Sequence, residues 1–162
     1  MSRLRIVLVS PRIVANVGNA ARTAASLNAE LILVKPFGFI WDEGKLRRNS
    51  VGYWDRVQPT LYRDADHFWS QIECNAKTEF MFVEKDGEEV YFDHSFGSDV
   101  VLIFGNEEEG VDSHFWQSKR AGQNLVSCRI PMSDIRCLNL ATCVGILGYE
   151  VFRQWQQGVK KA

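Results

Sequence analysis

Five short strand-like segments, most of them apolar runs and each followed by Gly, Pro or Ser, set the terms on which this chain can fold. They are residues 4–9 before Ser10-Pro11, 31–34 before Pro36 and Gly38, 80–83 before Asp86-Gly87, 100–104 before Gly105, and 126–130 before Pro131. A strand with water on one side alternates apolar with polar residues. Runs without that alternation, of which 4–9 and 100–104 are the clearest, predict strands buried on both faces, the habit of parallel sheets. Helical patterns lie between them. Residues 17–27 predict a helix with Asn16 as its cap and Asn28 as its stop, and 65–74 predict another. From about residue 138 a long helix carries Leu140, Val144, Leu147, Val151 and Trp155 along one stripe, and its early part is apolar nearly all round. Strands alternating with helices give an α/β class: a mostly parallel sheet flanked by helices. The chain's 162 residues suit one buried core, so a single domain over 1–162 is expected. Ligands of such sheets bind beyond the carboxyl ends of the strands, which places the chemistry in the loops after Val9, Val83, Phe104 and Ile130.

Charge narrows the partners. The formal charge is −1, so any grip on phosphate must come from a local patch rather than an average. Arg12, Arg22, Arg47-Arg48, Arg56, Arg63, Lys119-Arg120 and Lys160-Lys161 are the candidates, each of which alone reads equally as a solvated surface charge. Cys74, Cys128, Cys137 and Cys143 form no C-x-x-C pair, which argues against a zinc site or a thioredoxin-like centre and for reduced thiols. The apolar runs are too short to span a bilayer and the start lacks a signal-peptide core, so no membrane association and a cytoplasmic location are expected.

Three segments carry the functional signal. Asn16-Val17-Gly18-Asn19-Ala20-Ala21-Arg22 opens the first helix, where a Gly admits close approach and two Asn side chains both donate and accept. A helix cap followed by a surface Arg explains it about as well, and no G-x-G-x-x-G accompanies it. Phe104-Gly105-Asn106-Glu107-Glu108-Glu109-Gly110 follows the clearest strand and exposes backbone groups between two glycines, able to bind an adenine or ribose edge. It lacks the Gly-Lys-Ser/Thr of a phosphate loop. Its three acids are a possible Mg²⁺ lure, but no second carboxylate cluster or metal-spaced His accompanies them, so no metal is expected; His67, His94 and His114 are scattered. The third segment, from Ile130-Pro131-Met132 through Cys137-Leu138-Asn139-Leu140, joins the last strand to the long helix, with Asn139 either a cap or a ligand-facing group and Tyr149-Glu150 beyond it.

In identity, order and spacing the three together resemble the SPOUT class of RNA 2′-O-methyltransferases, the SpoU-type enzymes. The arm containing Pro36-Phe37-Gly38-Phe39, Trp41, Leu46-Arg47-Arg48 and Tyr53 is similar to the subgroup acting on the tRNA wobble nucleotide, and the resemblance covers nearly the whole chain. It implies a C-terminal trefoil knot, which general topology rules would not suggest, and a homodimer with the first and last helices at its interface. It implies S-adenosylmethionine as methyl donor, held near Phe82, Gly105, Ile130, Met132, Cys137 and Leu138 and released as S-adenosylhomocysteine. It implies tRNA as substrate, at cytidine 34 or a modified uridine 34, and no DNA. Another tRNA or rRNA position, or a noncatalytic dimeric RNA-binding scaffold, remain as alternatives. Two departures stand out: Cys137 replaces the usual Ser, and the loop from 131 to 139 is one residue shorter than in the nearest relatives.

The implied catalytic set is Arg22, with Asn16, Glu107 and Asn139 supporting it and Tyr149 nearby. A guanidinium stays protonated, so Arg22 suits a donor that fixes a phosphate and steadies developing alkoxide charge better than a general base. Trp41, Tyr53 and Trp54 are candidates to stack on an exposed base, or equally to pack in the core.

Overall fold

The computed structural model describes residues 3–119 and 123–160. Seven strands form one sheet: β1 (Arg3–Val9), β2 (Glu30–Val34), β3 (Thr60–Tyr62), β4 (Thr78–Val83), β5 (Glu89–Val90), β6 (Asp99–Phe104) and β7 (Asn124–Arg129). Six helices accompany them: α1 (Val14–Leu27), α2 (Glu43–Asn49), α3 (Trp54–Val57), α4 (Ala65–Gln71), α5 (Ser113–Gln117) and α6 (Leu140–Lys160). The order across the sheet is β3-β2-β1-β6-β4-β7-β5, and every pairing is parallel.

The unbroken apolar runs become the centre of this sheet because both of its faces are covered. Odd and even residues of each strand point to opposite sides, so each run feeds two cores. Ile6, Leu8, Leu31, Leu33, Met81, Leu102 and Phe104 meet α1 and α6 on one side. Val7, Val9, Ile32, Val34, Phe80, Phe82, Val101 and Ile103 meet α4 and α5 on the other. Each such fully buried side chain stabilises the fold by about 2 kcal/mol.

Asn28 ends α1 in the left-handed conformation at φ 52°, as its residue type suggests. The start of α1 differs from expectation. The helix begins at Val14 with Ile13 in the capping position, and Asn16 lies buried within its first turn. Gly18 has a purpose in packing: a Cβ there would stand 2.3 Å from Cβ of Asn49, so its absence lets α2 lie against α1. The arm is built of α2 and α3 and returns as the edge strand β3; α4 stops at Gln71, short of the predicted 74. No helix among the described residues is long and apolar enough to cross a membrane.

A candidate active site at the carboxyl edge of the sheet

The ends of β4, β6 and β7 and the start of α6 enclose a cavity of about 710 Å³, within the range usual for small-molecule sites. Gly105, Ile130, Met132, Cys137 and Leu138, five of the six residues expected around a cofactor, line it. Phe82 does not. Its ring is fully buried on the α4/α5 side, stacked 3.7 Å from the Trp116 ring. β4 reaches the cavity instead through Val83, one step along the strand and so on the other face, with Glu84 just beyond the strand's end.

The loop after β6 is shaped by its own hydrogen bonds. Asn106 and Gly110 exchange backbone bonds of 3.0 and 3.1 Å, and the Asn106 Oδ1 accepts from the amides of Glu108 and Glu109 at 3.0 and 2.9 Å. Closure is tight enough that a Cβ on Gly105 would fall 1.8 Å from the carbonyl carbon of Gly110.

That loop presents Glu107 to the first helix. Glu107 Oε1 accepts from Asn16 Nδ2 at 2.8 Å and the Ile13 amide at 3.1 Å, while Oε2 accepts from the Arg12 amide at 2.8 Å. Asn139 Nδ2 then donates to Asn16 Oδ1 at 2.9 Å. Three segments remote in sequence are thereby clasped together. Asn139 serves as cap as well, its Oδ1 accepting from the Thr142 amide at 3.2 Å. Glu107 is occupied by three donors and acts as an organiser of the cluster. Arg12 is drawn across the same loop, bonded to Glu108 and, at 3.1 Å, to Glu109.

Arg22 and Tyr149 lie elsewhere in the chain's own structure. Arg22 follows Asn16 by six residues, about 9 Å along the helix and on another face, and has no polar partner among the described residues. It shares an exposed stripe with Asn19 and Ser26. The Tyr149 hydroxyl stands 3.2 Å from Ser26 Oγ at that stripe, where Tyr149 and Phe152 remain 51% and 37% exposed.

Of the other basic candidates, Arg47 pairs with Asp55 and Glu43, and Arg63 with Asp64, whereas Arg56 pairs with no described residue. Arg120, Lys161 and the side chain of Lys160 lie outside the described residues. Trp54 is buried and Trp41 packs beside Phe37, which leaves Tyr53, at 41% exposure, as the arm's accessible candidate ring. His94 is structural, set between the carboxylates of Glu79 and Glu89. Among the described residues no three His, Cys, Asp or Glu side chains gather to hold a metal ion.

Burial pushes the thiols of Cys128 and Cys143 up to about 12 and about 11, while Cys74 and Cys137 are exposed. Since the thiolate is the reactive form, a thiol reagent at about pH 8 is expected to label Cys74 and Cys137 quickly, the half-buried Cys143 at the cavity more slowly, and Cys128 only on unfolding. Four equally fast thiols would contradict the burial of Cys128.

Comparison with known proteins identifies the family. Residues 3–149 match the model of the SpoU rRNA Methylase family. A Geobacillus stearothermophilus relative is 37% identical over 156 residues, covering 93% of this chain and 94% of its own. A tRNA (cytidine(34)-2′-O)-methyltransferase of Burkholderia cenocepacia is 33% identical over 150 residues, covering 92% and 94%. Among solved structures, one concerned with 2-OH methylation of C/U34 on tRNA superposes with a TM-score of 0.84 at 32% identity, covering 96% of this chain and 98% of that one. The fold is shared, at 22% identity and TM-score 0.84, with the SpoU methyltransferase AviRb of Streptomyces viridochromogenes in complex with AdoMet, covering 96% of this chain and 62% of that one.

Proposed function

The chain belongs to the SpoU rRNA Methylase family, and from that membership we propose that it is an S-adenosylmethionine-dependent tRNA methyltransferase acting on the ribose 2′-OH of the wobble nucleotide, cytidine 34 or a modified uridine 34. The observation that carries this reading is the clasp of Asn16, Glu107 and Asn139, built beside a cavity whose walls come from the strand ends. The relatives named for methylation of cytidine 34 align over more than nine-tenths of the chain, arm included.

The cavity suits the donor. Its size fits, and among its lining residues the acids Glu84, Asp86 and Glu107 to Glu109 outnumber the basic Lys85 and Arg136, a balance that favours a cation. Gly105, Ile130, Met132, Cys137 and Leu138 would hold S-adenosylmethionine, with backbone groups doing most of the recognition, so that the thiol of Cys137 in place of a hydroxyl leaves a backbone contact intact. When bound, the donor supplies a methyl already activated on a sulfonium. The protein must align the ribose hydroxyl with it and manage the proton. Asn16, fixed by Glu107 and Asn139, offers a rigid polar surface for the ribose, and Arg22 a charge for the phosphate and the developing alkoxide.

Arg22 reaches such a site through a homodimer in which α1 and α6 of two copies pack together. The exposed Arg22, Ser26, Tyr149 and Phe152 stripe then faces the partner, and each cavity is completed by the other subunit's Arg22. The reading includes a single domain, a trefoil knot formed by the C-terminal segment, and a cytoplasmic workplace. Tyr53 and Arg56 on the arm supply stacking and charge toward an anticodon loop.

The test is to incubate the protein with tRNA and, separately, with rRNA in the presence of methyl-labelled S-adenosylmethionine, then sequence the digested RNA by mass spectrometry. A 2′-O-methyl group at nucleotide 34 is expected. Methylation at another tRNA position or in rRNA would redirect the assignment, and no methylation of either RNA would leave a binding scaffold.

A further inference from the structure

Glu84 is the first residue beyond β4, and its amide is pinned to the Cys128 carbonyl at 2.9 Å. Its carboxylate is fixed too. Trp116 Nε1 donates to Glu84 Oε1 at 3.2 Å, and the Trp116 ring is itself held by stacking on Phe82 at 3.7 Å. Lys119 Nζ lies 5.4 Å from the Trp116 ring centroid, which adds a cation–π contact to the same support. Glu84 Oε2 accepts no hydrogen bond among the described residues, and Glu84 lines the cavity.

The other lining acids are differently placed. Glu107 is occupied by three donors, and Glu108 and Glu109 are paired with Arg12. Asp86 sits in the exposed turn after the strand. Glu84 therefore combines a fixed carboxylate with an oxygen open to a ligand.

An ionised carboxylate only accepts hydrogen bonds, so it selects a ligand group that donates several at once. A vicinal diol does so without bringing a charge that must be stripped of water on entering the cavity. An acid beyond the end of a parallel strand is also a general solution for holding a ribose. We propose that Glu84, positioned by Trp116, binds the ribose hydroxyls of the methyl donor. The inference rests on the cofactor reading above, with Glu84 as a ligand-contacting residue and Trp116 as a positioning residue.

Calorimetry with S-adenosylhomocysteine tests it without any turnover. Glu84→Ala is expected to weaken binding about tenfold or more, and Glu84→Gln, which keeps one carbonyl acceptor and the shape, by a smaller factor. Trp116→Phe leaves the carboxylate present but unsupported, and is expected to cost affinity only a few-fold. The analogue lacking both ribose hydroxyls should bind wild type and Glu84→Ala within about twofold of each other. With 5′-methylthioadenosine, which keeps the ribose and lacks the ammonium, the full penalty should persist. Equal affinity of wild type and Glu84→Ala for S-adenosylhomocysteine overturns the proposal, as does an equal penalty on the dideoxy analogue or a penalty that disappears with 5′-methylthioadenosine. Failure of the wild type to bind S-adenosylhomocysteine at all would strike the cofactor reading itself.

Discussion

Arg22→Ala is expected to slow methyl transfer to tRNA by about 10²–10³-fold while leaving the affinity for S-adenosylhomocysteine within about twofold. The separation of the two effects comes from position. Arg22 is exposed, has no polar partner among the described residues, and does not line the cavity, so its removal leaves no unpaired group and disturbs no wall. Stability should likewise move little, as for most surface substitutions. The rate should fall because a fixed cation beside a nascent alkoxide is most valuable in the transition state, when negative charge appears on the ribose oxygen. Arg22→Lys retains the charge without the planar fork, and should lie between the two if bidentate phosphate contact matters. Single-turnover kinetics with saturating donor reads this directly. Full activity in the alanine variant would remove Arg22 from the chemistry.

The sheet was legible in the sequence because its central strands are buried on both faces, and a continuous apolar run bounded by Gly or Pro records that environment. The same property hides which face each residue serves. Phe80, Met81 and Phe82 are alike in hydrophobicity, yet Met81 joins the α1/α6 core while its neighbours join the other, so nothing in the run itself corrects the place at the cavity that the family resemblance implies for Phe82. The edge strands β3 and β5, of three and two residues, are too short to leave a periodic trace.

Asn16 shows a second limit. Local rules make an Asn before an apolar helical stretch a cap, but α1 starts two residues earlier, and the side chain is claimed by Glu107 and Asn139 from 91 and 123 residues away. Long-range hydrogen bonds have no period or propensity to announce them. Resemblance to a family brought Asn16, Glu107 and Asn139 together before any coordinate did. Glu84 escaped notice because it sits in an ordinary polar turn after a strand, although its place at the carboxyl end of β4 was the available clue. Arg12 was read as a candidate for phosphate and is instead engaged by the acidic loop.

Gly105→Val is expected to weaken S-adenosylhomocysteine binding by more than about 100-fold and to destabilise the fold by about 2–4 kcal/mol. The reason is steric. Even a Cβ would lie 1.8 Å from the Gly110 carbonyl carbon and 2.1 Å from its oxygen, both backbone atoms that move only if the loop opens. Opening breaks the Asn106–Gly110 pair and pulls away Glu107, the group that holds Asn16 and the amides of Arg12 and Ile13. The cavity wall and the clasp thus fail together. Calorimetry and urea unfolding measure the two consequences separately, and undiminished affinity would show that the pocket is elsewhere. Because the Arg22 and Gly105 defects fall on opposite sides of the proposed interface, co-expressing Arg22→Ala with Gly105→Val chains adds a sharper demand. Random pairing makes about half the dimers mixed, and each mixed dimer has one site with both defects and one with neither, so about a quarter of wild-type activity should return. If each cavity instead used the Arg22 of its own chain, every site would carry one defect and the mixture would stay inactive.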